Sequence, residues 1–94
     1  MIIKIVYNSD LHNNFYYDLL NKLHDITIET YDMKYTTDTK KGFKVKGAFG
    51  AKFEPFVGIY SDEGNILKGF YSEVSECNVD NIINYLNNYE SNNE

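Results

Sequence analysis

Ser9, Asp10 and His12 stand close together near the amino terminus, and they are the residue types of a hydrolytic group in which an acid orients a base and the base activates a hydroxyl. Adjacent residues at a helix start point in different directions, however, and the second histidine, His24, is expected at the far end of that helix. Capping by Ser9 or Asp10 beside a solvated His12 is therefore the preferred reading. The single cysteine, Cys77, lies near the expected start of the last helix, where the helix dipole would acidify a thiol. Glu73 and Glu76 oppose that effect. A buried structural residue and a reactive thiol both stay open for Cys77. Lys40, Lys41, Lys44, Lys46 and Lys52 alternate with Phe43, Phe49 and Phe53. Lysines among aromatics can hold single-stranded nucleic acid, by backbone attraction and base stacking. The preferred alternative is a solvated face whose phenylalanines enter the core. Gly47 and Gly50 in the same stretch would let a partner or a phosphate approach the backbone, but they match no phosphate-loop motif. No His, Cys or carboxylate cluster has metal-ligand spacing, and DEGN at 62–65 reads as a hairpin turn rather than a calcium loop.

These residues must be positioned by a short series of elements. Ile2, Ile3, Ile5, Val6 and Tyr7 form a β-branched run broken by Lys4, which predicts a strand buried on both faces among parallel neighbours. A helix follows, with Phe15, Leu19, Leu20 and Leu23 on one face, and closes at His24 and Asp25. Ile26, Ile28 and Tyr31 suggest a second strand, completing a βαβ unit with parallel strands. Residues 32–42 are polar without clear periodicity and read as a loop leading towards a weak helix. The next stretch, GFKVKGAFGAK, is open between a short strand, a frayed helix and a structured loop. The hairpin is clearer: a strand over 56–60, a turn at 62–65, and a strand over 66–71. Ser75 or Asn78 can then cap a last helix bearing Val79, Ile82, Ile83 and Leu86, before NNYESNNE frays.

The chain has 94 residues, room for one core, and we assign residues 1–89 to a single domain and 90–94 to a polar tail. With 43% hydrophobic and 16% aromatic residues it is too apolar to be disordered. The net charge is −5 and every basic residue is a lysine, so nucleic acid is an unfavoured partner. One cysteine excludes an internal disulfide and fits a reducing cytoplasm. MIIKIVYNSD has neither a basic n-region nor the length of a membrane span, so no membrane is expected. Tyr16, Tyr17, Tyr31, Tyr35, Tyr71, Tyr85 and Tyr89 exceed what so small a core can enclose, and exposed tyrosines suit protein interfaces.

The order β-α-β-(α)-β-β-α, with Pro55 immediately before the third strand, resembles the thioredoxin fold, and glutaredoxins by size. The likeness is most specific over 42–69, in GFKVKG, Pro55-Phe56, VGIY, Gly64 and Gly69. It implies an α/β fold with a central mixed sheet flanked by helices and a cis peptide at Pro55 beside the family's active site. The segment AFGAKFE between Gly47 and Pro55 is additional to the family pattern. GAFGAKFEPF and FYSE also resemble small thioredoxin-like proteins of anaerobic gut bacteria and their phages.

In that family a Cys-x-x-Cys or Cys-x-x-Ser motif follows the first strand. Here the stretch reads YNSDLHNN and holds no sulfur, so dithiol exchange at the usual site is excluded. The Gly-Gly-x-Asp-like turn with which glutaredoxins contact glutathione is replaced by SECN, and only Asp80 partly matches, so no cofactor is expected. The first expectation is a non-catalytic module that binds a protein partner or self-associates, cytoplasmic, or virion-associated if phage-encoded. Its surface would be formed by Asn8, Ser9, Asp10, His12, Lys52, Pro55 and Phe56. Thiol-dependent chemistry at Cys77 and weak nucleic-acid binding through 40–52 are the alternatives.

Overall fold

Ile3 and Ile5 point to one side of the first strand and Val6 to the other, and all three are fully buried. That strand must therefore sit inside a sheet covered on both faces. The computed structural model describes residues 1–92 and shows how. The elements are β1 (Ile2–Tyr7), α1 (Asn13–Lys22), β2 (Thr27–Asp32), α2 (Thr36–Phe49), β3 (Phe56–Tyr60), β4 (Ile66–Tyr71), a 3-10 turn (Ser72–Val74) and α3 (Val79–Asn92). The four strands form a mixed sheet in the order β2-β1-β3-β4. As expected for the βαβ unit, β1 pairs in parallel with β2, but its other neighbour, β3, is antiparallel. Burial on both faces here arises from helices on both sides, not from an all-parallel sheet.

On one side α1 and α3 lay Leu19, Leu23, Val79 and Ile82 against Ile3, Ile5, Val57, Ile59 and Phe70. On the other, α2 contributes Val45 to a smaller core with Val6, Ala51 and Phe56, and Phe49 packs against it. Phe49 seats on a slot made by two glycines. Gly58 and Gly69 are directly paired across β3 and β4, and a Cβ on them would come within 2.9 Å and 2.7 Å of the Phe49 ring. Gly42, buried in α2, allows the opposite close approach, since its Cβ would meet the Met33 sulfur at 2.3 Å.

The polar 32–42 stretch is thus shorter as a loop than its composition suggests, and the open segment after it is helical as far as Phe49. Gly50 ends that helix at φ 70°, with its amide and that of Ala51 donating to the carbonyls of Gly47 and Lys46, a Schellman cap. One capping assignment changes and one open choice is decided. Neither Ser9 nor Asp10 caps α1, which begins at Asn13 without a side-chain cap. Of the two candidates for α3, Asn78 makes the cap, its Oδ1 accepting the Asn81 amide at 2.9 Å. The helix continues through Asn92 instead of fraying at Asn87; residues 93–94 of the expected tail lie outside the described residues. No helix among the described residues is long and apolar enough to cross a membrane.

Candidate functional site

Register brings four chain segments to one end of the sheet. Tyr7 closes β1 beside Asp32 of β2, Val6 pairs with Phe56 at the start of β3, and Phe56 pairs with Tyr71 at the end of β4. The loops at 8–12, 33–35, 51–55 and 72–78 therefore share this end, and the 8–12 loop and Pro55 are neighbours as the resemblance implies.

Asn8 shapes the first loop. Its carbonyl accepts the amides of Leu11 and His12 at 3.0 Å and 2.8 Å, and its side-chain oxygen accepts that of Asp10 at 2.9 Å. The buried Asp32 carboxylate holds the loop to β2, accepting the Ser9 amide at 3.0 Å and the Lys34 amide at 3.1 Å. Burial raises the Asp32 pKa, but the Ser9 hydroxyl and amide, with the Lys34 amide and charge, outweigh it and hold the carboxyl below its usual range. Ser9 is thereby tied to Asp32 through its backbone amide. Asp10 pairs with Lys34 at 3.0 Å. His12 is half-buried rather than solvated, and its Nδ1 accepts the Asn8 amide at 3.1 Å, which puts the proton of the neutral ring on Nε2. Burial lowers its pKa and the Glu54 charge partly opposes that. A hydrolytic triad would need His12 Nδ1 to donate to a carboxylate and Ser9 to face the ring. Neither arrangement exists here.

The second loop carries the cis Glu54-Pro55 peptide. Glu54 forms an ion pair with Lys46 of α2, whose side chain is 3% exposed and whose ammonium lies 4.8 Å from the Phe43 ring centroid. The Lys52 amide donates to Glu73 at 2.8 Å, which lowers the Glu73 pKa and ties this loop to the 3-10 turn. The Tyr71 hydroxyl donates to the Phe49 carbonyl at 2.6 Å. Phe56 is fully buried and belongs to the core, so it drops out of the surface expected for it.

Leu11 and Val74 were not singled out from the sequence, and Phe53 was expected in the core. Leu11, Phe53 and Val74 are 75%, 60% and 62% exposed around the Pro55 loop. An apolar residue in an otherwise polar turn, as Leu11 is in NSDLHN, was the available signal. Of the three phenylalanines expected in the core only Phe49 packs there; Phe43 and Phe53 are exposed, while the lysine between them, Lys46, is buried. Cys77 precedes α3 and packs against the main core. Burial, reinforced by Glu73 and only partly offset by a hydrogen bond with the Val57 backbone, pushes its thiol up to about 12. It therefore stays protonated at neutral pH, without the thiolate that nucleophilic chemistry uses.

Among the described residues no group of three or more His, Cys, Asp or Glu is placed to hold a metal ion. A cavity of about 440 Å³ lies at the opposite end of the sheet between Met1, Leu23, Ile26, Ile83 and Leu86, and shares no residue with this site. What the sheet end offers is therefore a rigid polar framework bearing exposed apolar side chains. Comparison of the chain with protein-family models, with curated proteins and with solved structures finds no match.

Proposed function

We propose that this chain is a thioredoxin-like domain that works without thiol chemistry, as a module that binds a protein partner at the end of the sheet where the 8–12 loop meets Pro55. The observation that carries the reading is the exposure of Leu11 and Phe53 on two loops at the same end of the sheet, loops bonded to the rest of the chain. Large apolar side chains held in water by well-anchored loops are characteristic of docking surfaces, where they supply area at little ordering cost. The thioredoxin-like assignment is supported by the element order, by β1 at the centre of a mixed sheet, and by the cis peptide before β3.

The test is co-purification from cells that express the protein, together with sedimentation velocity, for the parent and for Leu11→Ser and Phe53→Ser. Both substitutions remove exposed apolar area and should leave the fold intact. The reading expects a co-purifying protein, or self-association, that either substitution weakens. A strictly monomeric protein without partners, or association indifferent to both changes, overturns it.

A further inference from the structure

α2 buries Gly42, Val45 and Lys46 against the sheet and turns the opposite face to solvent. Helical spacing places Lys40 and Gly47 at the centre of that outer face, with Phe43 and Lys44 beside them, and all four are exposed. Gly47 has no role within the chain that requires glycine: its φ is not positive, and a Cβ would meet nothing within 4 Å. Glycine is the poorest helix former after proline, so a solvent-facing one weakens α2 without a structural return. It does leave a notch in which another backbone can approach α2 closely. Phe43, 57% exposed, stands one turn before Gly47 on the helix.

Charge identifies the occupant. Residues 32–52 hold six lysines (34, 40, 41, 44, 46 and 52) against Asp32 and Asp38, in a chain whose net charge is −5. Lys46 is taken by Glu54 and Lys34 by Asp10, whereas no ion pair joins Lys40, Lys41 or Lys44 among the described residues. We propose that this face docks an acidic amphipathic helix of a protein partner, with small and apolar side chains over Gly47 and Phe43 and carboxylates reaching Lys40 and Lys44. This rests on the binding-module reading and adds to it a second surface, on α2, with the chemistry of the partner that surface would take. Single-stranded nucleic acid fits less well. Bases stack on free ring faces, and the Lys46 ammonium already stands over a face of the Phe43 ring.

The experiment measures fluorescence anisotropy with three labelled probes: a synthetic helix with a Leu and Ala stripe flanked by Glu, its Lys-for-Glu counterpart, and oligo(dT). Saturable binding of the acidic helix is expected, weakening as salt rises. Gly47→Gln, which fills the notch without a clash, and the double change Lys40→Glu with Lys44→Glu should each reduce affinity by roughly tenfold or more, with circular dichroism unchanged. The charge-reversed protein should bind the Lys counterpart instead. The proposal is overturned if the acidic helix does not bind saturably, if Gly47→Gln binds it as the parent does, or if oligo(dT) is preferred. Those failures with Leu11- and Phe53-dependent association intact remove only the helix face; loss of that association removes the module reading itself.

Discussion

Replacing Glu54 by Gln strands the ammonium of Lys46, which is 3% exposed, beside the Pro55 loop. Breaking a buried pair from one side typically costs about 3–5 kcal/mol, most of it the uncompensated charge. Two features of this pair reduce the figure. Glu54 is 23% exposed, so water reaches the outer end of the pair, and the Phe43 ring remains 4.8 Å from the ammonium. A cation–π contact of that kind returns about 0.5–1 kcal/mol, which leaves an expected loss of roughly 2–3 kcal/mol. In a domain of this size that lowers the melting midpoint by about 10–20 °C. Lys46→Met should cost less, since the carboxylate it leaves behind is the more exposed partner. The double variant removes both charges and should lie within about 1 kcal/mol of Lys46→Met. Urea unfolding of the parent, both single variants and the double variant closes the cycle and isolates the coupling. The reasoning is refuted if Glu54→Gln stays within about 0.5 kcal/mol of the parent, or if the double variant is less stable than Glu54→Gln.

Asp32→Asn should flatten the acid limb of the stability–pH profile. A carboxyl held below its usual range contributes stability that is complete above the unfolded value and disappears as pH falls through the folded one, so the gap between parent and variant, about 1–2 kcal/mol at neutral pH, should close below about pH 4 in urea titrations. Cys77 should react with an alkylating reagent at neutral pH more slowly than free cysteine, measured by mass spectrometry under native conditions, and reach the free rate on unfolding. Gly58→Ala and Gly69→Ala should each cost about 1–3 kcal/mol because the Phe49 ring has to leave its slot. Gly47→Ala, by the same unfolding assay, should stabilise by about 0.5–1 kcal/mol, since its methyl group meets nothing.

The parts legible in the sequence are those where one period dominates. α1 and α3 each turn one apolar stripe to the core, and β1 and β3 are apolar runs buried on both faces of the sheet, as their sequences read. α2 was obscure because its contact with the sheet is narrow: its buried positions are Gly42, Val45 and Lys46, of which only the valine reads as core. The glycines mislead for a related reason. Gly42 is small because Met33 and Val6 pass close by, and Gly58 and Gly69 because Phe49 lies across them, contacts between different elements that no local pattern reveals. Pairings such as Lys46 with Glu54 or Ser9 with Asp32 have the same origin, so the two site segments could be named while the groups that brace them could not.

The polar inventory of the sheet end bears directly on what the site can do. A catalytic group needs a lone pair or a proton free to meet a substrate. Here Ser9 serves Asp32, His12 Nδ1 accepts from Asn8, Asp10 holds Lys34, Glu54 holds Lys46, and Glu73 accepts from the Lys52 backbone. Apart from the Asn8–His12 bond, which lies within one loop, each of these joins a loop to a strand, a helix or another loop and so fixes backbone. Holding loops this firmly also reduces the ordering cost of any later contact they make. The side chains left projecting from them, Leu11, Phe53 and Val74, are ones that gain free energy only by being covered. Anchored loops carrying uncommitted apolar side chains are what the proposed docking role requires of this end of the sheet.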